Sequence, residues 1–195
     1  MRIQTGIRVE YLSSAWMAIE FSASIALGVL AGSFALLAFG GDSLIELISG
    51  FAVLNHLRND VGSSEIHDSK RVEQITTALL FSLVPVIGLG AVYSFVLGLR
   101  PEGSPLGIGL AIGAVIIMPY LYFQKRKIGE QTREAPLEID AVESVTCFFM
   151  SIALLGGLLA EFFFGLWWAD YLATAVILVF VAREASESYH ELHED

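Results

Sequence analysis

The chain has 195 residues, of which 55% are hydrophobic and only 16% charged, whereas a soluble domain usually carries about a quarter charged residues. With a mean hydropathy of +0.66 it reads as a membrane protein; at about 20 apolar residues per span, connecting loops leave room for about six spans and no large soluble domain. A net charge of −10 excludes nucleic acid as a partner, because that binding needs a basic footprint.

Apolar runs between charged or Gly/Pro breaks predict an all-α bundle of six transmembrane helices. These are Val9 to Ala31, Ser33 to Arg58, Val72 to Leu97, Pro105 to Phe123, Pro136 to Phe163 and Trp167 to Ala185. A single transmembrane domain thus fills the chain, with a solvated tail at 186–195 that holds His190 and His193. The first run is long and follows Arg2 and Arg8, so a retained helix is expected rather than a cleaved leader. Polar connections are expected at Asn59 to Arg71 and at Gln124 to Ala135, the first with Lys70 and Arg71, the second with Lys125, Arg126, Lys127 and Arg133. With six spans, every one of the eleven Lys and Arg residues except Arg100 falls on one side. The positive-inside bias then makes both termini cytoplasmic in a multi-pass cell membrane protein, the inner membrane if the source is Gram-negative. Trp167 and Trp168 fit an outer interface, as aromatic belts do. Gly28/Gly32 and Gly109/Gly113 have the spacing that lets helices pack closely.

Acids inside these spans are the informative feature. A carboxylate at the bilayer centre costs about 2.5–3.5 kcal/mol on insertion scales, so it faces a polar interior or a cation. Asp42 and Glu46 stand at i and i+4 in the second helix, on one face. Asp140, Glu143 and Cys147 form a stripe at i, i+3 and i+7 in the fifth. At 1.5 Å per residue, Asp42 and Glu46 lie about 14–20 Å in from the outer end, and Glu143 and Cys147 about 10–17 Å in from the inner end. Those depths meet near the middle of an apolar core about 30 Å thick. Glu20 in the first helix reaches a similar level, and no basic residue is expected there.

Three charged acids at about 3 kcal/mol each would cost on the order of 9 kcal/mol. Protonation offsets that cost, and so does a divalent cation, whose binding requires deprotonated ligands and releases protons. A site that alternates between the two exchanges metal for protons. Carboxylates with one thiolate suit Zn²⁺ and Cd²⁺ and disfavour Mg²⁺ and Ca²⁺; Fe²⁺, Co²⁺ and Mn²⁺ stay open. The expected metal residues are Asp42, Glu46, Glu143 and Cys147. Glu20 reads as an added ligand, a proton relay or a structural hydrogen-bond acceptor, and Asp140 as an added ligand, a relay or a hydrated residue at the cytoplasmic mouth. Cys147 alone would read as a packing residue. Asp170, at the start of the sixth helix beside the Trp pair, reads as structural, where a first-turn acid favours the helix dipole.

The residues resemble the cation diffusion facilitator family of divalent-metal transporters, over nearly the whole chain. The segment GSFALLAFGGDSLIELIS, Gly32 to Ser49, is similar to that family's second helix, and EIDAVESVTCFFMS, Glu138 to Ser151, to its fifth. WWADYLATAVIL, Trp167 to Leu178, resembles the opening of its sixth. The resemblance implies a six-helix fold, usually dimeric, that exports zinc or a related ion against inward proton movement. It implies that Asp42 and Glu46 are ligands; Glu143 stands where the family usually has His, and Cys147 where it usually has Asp. A branch with Asp-Ser-x-x-Glu in helix two and Cys in helix five is closer. Family members commonly carry a cytoplasmic domain after helix six, for which about a dozen residues leave no room here, so a homodimer is expected through the membrane helices.

The expected function is a secondary transporter that exports a divalent transition metal, Zn²⁺ or Cd²⁺ foremost, in exchange for protons by alternating access. Its partners are then the lipid bilayer, the metal ion and protons. The alternatives are a passive acid-lined cation channel and a non-transporting metal-binding sensor. No HExxH or P-loop motif is present, so neither an enzyme nor a resident cofactor is expected.

Overall fold

The computed structural model describes the backbone of residues 2–58, 63–132 and 135–194 and the side chains of 4–58, 72–132 and 136–190. Within these the chain forms six helices and no strand: α1 (Arg2–Ala31), α2 (Phe34–Arg58), α3 (Ser63–Val96), α4 (Pro105–Thr132), α5 (Ala135–Phe164) and α6 (Trp168–Glu194). Arg2, Lys70, Arg71, Arg133 and His193, all used above to read charge or the tail, lie outside the described side chains.

Local chemistry sets the helix ends. Gly32 takes a left-handed φ of 66° and stops α1, as glycine does after a last helical turn. Ser33 then opens α2, its hydroxyl accepting from Leu36 N at 3.1 Å, the N-cap bond. Ser104 does the same for α4 through Gly107 N at 3.1 Å, with Pro105 in the first helical position, where its missing N–H costs nothing.

The helices form a ring in the order α1, α2, α3, α6, α5, α4, and α2 also packs across it on α5 and α6. Ring neighbours run antiparallel. Gly28 meets Leu37 and Gly40 meets Ser24 between α1 and α2, and Gly41 meets Leu83 while Gly90 meets Phe34 between α2 and α3. The starts of α1, α3 and α5 therefore gather with the ends of α2, α4 and α6 at one end of the bundle. Ala35, Leu36, Phe39, Ala111, Met118, Leu154 and Ile177 are among the buried residues of the core. Val86, Leu89, Val96, Ile116 and Phe123 are exposed, an apolar exterior suited to lipid rather than water. Of the glycine pairs singled out by spacing, Gly28 and Gly113 make close approaches, the latter to the Trp16 ring, while Gly109 faces open space.

Three differences from the expected spans matter. Among the described residues, five helices, 4–31, 34–58, 72–96, 105–132 and 136–164, are long and apolar enough to cross a membrane; α6 falls short, because Asp170, Arg183 and Glu184 leave only a short apolar stretch between them. The polar connection expected from Gln124 is instead helical through Thr132. The expected solvated tail is helical through Glu194, and its first residues pack on α3: Thr77 Oγ1 lies 2.7 Å from Ser188 Oγ, and Tyr189 stands edge-on to Phe81.

Candidate functional site

A polar stripe on α1 faces the interior because Gly6, Glu10, Ser13, Met17, Glu20 and Ser24, all buried, recur at helical three- and four-residue steps. The α1–α2 register brings Glu20 level with the turn between Asp42 and Glu46. Asp42 is fully buried and Glu46 is 2% exposed, and neither carboxylate has a hydrogen-bond partner among the described residues. Glu20 accepts from Trp16 Nε1 at 2.6 Å through one oxygen and leaves the other unpartnered.

From α5, the buried Cys147 stands beside Glu46, with Glu20 and Asp42 also in its field. One turn lower, half-buried Glu143 accepts a 3.4 Å hydrogen bond from Ser49 Oγ of α2. Glu143 lies within electrostatic reach of both Asp42 and Glu46. The structure thus gathers Glu20, Asp42, Glu46, Glu143 and Cys147 into one neighbourhood of three helices. Among the described residues, no three of these or other His, Cys, Asp or Glu side chains converge closely enough to hold one metal ion. Ligation by three or more requires the side chains to turn toward a shared centre.

Asp140 belongs to a different group. Lys125, fully buried on α4, places Nζ 2.5 Å from Asp140 Oδ2 and 3.6 Å from Glu10 Oε2. This triad ties α1, α4 and α5 together at the level of Gly50, whose missing Cβ would stand 2.9 Å from Glu10 Oε1. The expectation of a hydrated acid at the mouth gives way to a buried ion pair, and the lysine assigned to a cytoplasmic loop lies inside the bundle. Its signal is in the sequence. Ala111, Ala114, Met118, Leu121, Lys125 and Ile128, all buried, keep one inward stripe that runs straight through the basic cluster.

A cavity of about 190 Å³ reaches this region between α2, α3, α5 and α6, with Glu46, Glu143 and Glu184 among its walls. Its lining comes from the lower half of α2, the first turns of α5 and the last turns of α6, so it leads toward the end of the bundle that gathers the termini. Glu184, which was not among the expected site residues, joins Glu46 and Glu143 electrostatically. Asp170 accepts from Ser33 Oγ at 2.5 Å, Phe34 N at 3.0 Å and Ala35 N at 3.4 Å, and so caps α2 rather than serving only its own helix. Above it Trp167 packs on Phe95 and Tyr171, with Arg100 over its ring.

Residues 11–191 match the family model for the cation efflux transmembrane domain. No match is found among curated proteins. Coverage of nearly the whole chain, on an all-helical bundle with buried acids in α1, α2 and α5, places the chain in the cation efflux family: it is a multi-pass membrane protein and a cation transporter of the cation diffusion facilitator type.

Proposed function

We propose that the protein exports a divalent transition-metal cation, Zn²⁺ or Cd²⁺ foremost, in exchange for protons, with Asp42, Glu46, Glu143 and Cys147 as ligands. The observation that carries this reading is the pair Asp42 and Glu46, whose four buried carboxylate oxygens have no hydrogen-bond partner. Buried polar groups are normally satisfied, and a carboxylate in an apolar interior needs a proton or a cation. Cys147 beside Glu46 adds a soft donor, which favours Zn²⁺ and Cd²⁺ over Mg²⁺. Glu20 is placed to accept a proton when metal is absent, since one of its oxygens is free while the Trp16 bond holds the other.

The cavity beside Glu46, on the side of the termini, supports an inward-open arrangement in which ions arrive from that side. The sixth crossing, by α6, and cytoplasmic termini belong to the same reading. So does a homodimer joined through the membrane helices, for which Gly109, open to a neighbour, suits a close helix contact.

The test is metal uptake by the purified chain in lipid vesicles carrying a pH gradient. Asp42→Asn and Glu46→Gln should abolish uptake that the gradient drives in the wild type. Equal uptake by variants and wild type removes these acids from the mechanism; saturable uptake indifferent to the gradient removes proton exchange; metal-dependent stability without flux identifies a sensor.

A further inference from the structure

Four carboxylates on three helices line the cavity, and they differ in what already occupies them. Glu187, also at its wall, is engaged by Arg183 at 2.8 Å. Glu143 is bonded through one oxygen by Ser49. Glu184 has a buried Oε2 without a hydrogen-bond partner, and Glu46, 2% exposed, has both oxygens unpartnered. Unpartnered acids of separate helices around one space take up protons or a positive occupant, and among the described residues no basic side chain lines this cavity.

The volume says what kind. A cavity of about 190 Å³ is far larger than the roughly 10–15 Å³ that one ordered water needs. That accommodates a divalent ion with much of its hydration shell. A bare ion directly ligated by all three acids is not what this arrangement offers, since no three acids converge to inner-sphere distance.

Building on the exchange function above, we propose that Glu184 of α6, with Glu143 and Glu46, forms a loading site that holds the partly hydrated divalent cation before it passes to the Asp42–Glu46–Cys147 level. Glu184 acts electrostatically there, through the remaining water shell. Its position is fixed by packing rather than by its own bonds: the Thr77–Ser188 hydrogen bond and the Phe81–Tyr189 contact hold the last turns of α6 against α3. Glu46 and Glu143 are shared between the two levels and receive the ion as water is shed.

The test uses the full chain in vesicles, with Cd²⁺ as the probe and uptake measured against concentration. Glu184→Gln should raise the half-saturating Cd²⁺ concentration roughly three- to tenfold with the maximal rate retained, the order of one charge contact in a hydrated mouth. An unchanged half-saturation overturns the proposal, and so does a loss confined to the maximal rate, which marks a structural role. Should the Gln variant not fold, Glu184→Cys decides, with the wild type as the reference for any labelling of Cys147. A thiosulfonate that attaches a negative sulfonate should return half-saturation toward the wild type, and one that attaches a trimethylammonium should raise it further. Equal effects of the two labels refute an electrostatic role. Failure of the underlying transport reading is distinguishable, because it appears as wild-type uptake by Asp42→Asn, whatever Glu184 does.

Discussion

Replacing Lys125 by methionine keeps the volume and removes the charge. Lys125 is fully buried, 2.5 Å from Asp140 and 3.6 Å from Glu10, and those two acids are 1% and 0% exposed. The variant leaves both carboxylates in the interior with no counter-ion, and removing one partner of a buried ion pair costs about 3–5 kcal/mol. In a chain of this size about 1 kcal/mol moves the melting temperature by about 2–4 °C, so the expected drop is roughly 6–20 °C. Neutralising all three positions, Glu10→Gln with Lys125→Met and Asp140→Asn, should recover most of it, because a buried charged network replaced as a whole costs little. The assay is thermal unfolding of the detergent-solubilised chain followed by size-exclusion chromatography. A single variant that melts within about 2 °C of wild type, or a triple variant that falls as far as the single, refutes the triad as a structural tie between α1, α4 and α5.

Asp170→Ala removes the acceptor for Ser33 Oγ and for Phe34 and Ala35 N–H. A loss of roughly 1–2 kcal/mol is expected, read as a lower melting temperature with uptake per folded molecule largely retained; uptake lost at unchanged stability would show that Asp170 handles ions. Gly113→Ala would place a Cβ 2.7 Å from a Trp16 ring carbon, an overpacking that should cost about 1–3 kcal/mol in the same assay, and no change in stability would count against the α1–α4 packing. Cys147→Asp should shift preference from Cd²⁺ toward harder ions, since carboxylate replaces thiolate; an unchanged Cd²⁺/Zn²⁺ uptake ratio removes the sulfur from the ligand set. Equilibrium metal binding should weaken as pH falls, because the ligands must be deprotonated and each bound proton displaces metal. Binding indifferent to acid contradicts that exchange.

Asp42 and Glu46 were legible because carboxylates in an apolar helix have few physical outlets, and helical spacing puts them on one face. Cys147 and Glu143 followed from depth counting at a fixed rise per residue. Lys125 was not legible from composition: a run of Gln124, Lys125, Arg126 and Lys127 looks like a solvated loop, and only the three- and four-residue recurrence of buried positions along α4 reveals that one of the four turns inward. Glu10 was hidden for the same reason, since it stands at the first turn of the apolar run. A first-turn position makes Asp170 suit its own helix dipole, whereas its partners lie at the start of α2, more than a hundred residues away in the chain. Local sequence holds no record of that approach. Glu184 was masked by Arg183 beside it, which turns to Glu187 instead.

The transport claim rests on one metal position between α2 and α5. Anomalous scattering from crystals of the protein grown with Cd²⁺ tests it most directly. A peak within ligating distance of Asp42, Glu46 and Cys147 is expected, lost in Asp42→Asn. Full Cd²⁺ occupancy elsewhere in the bundle, with none between these two helices, would contradict the account.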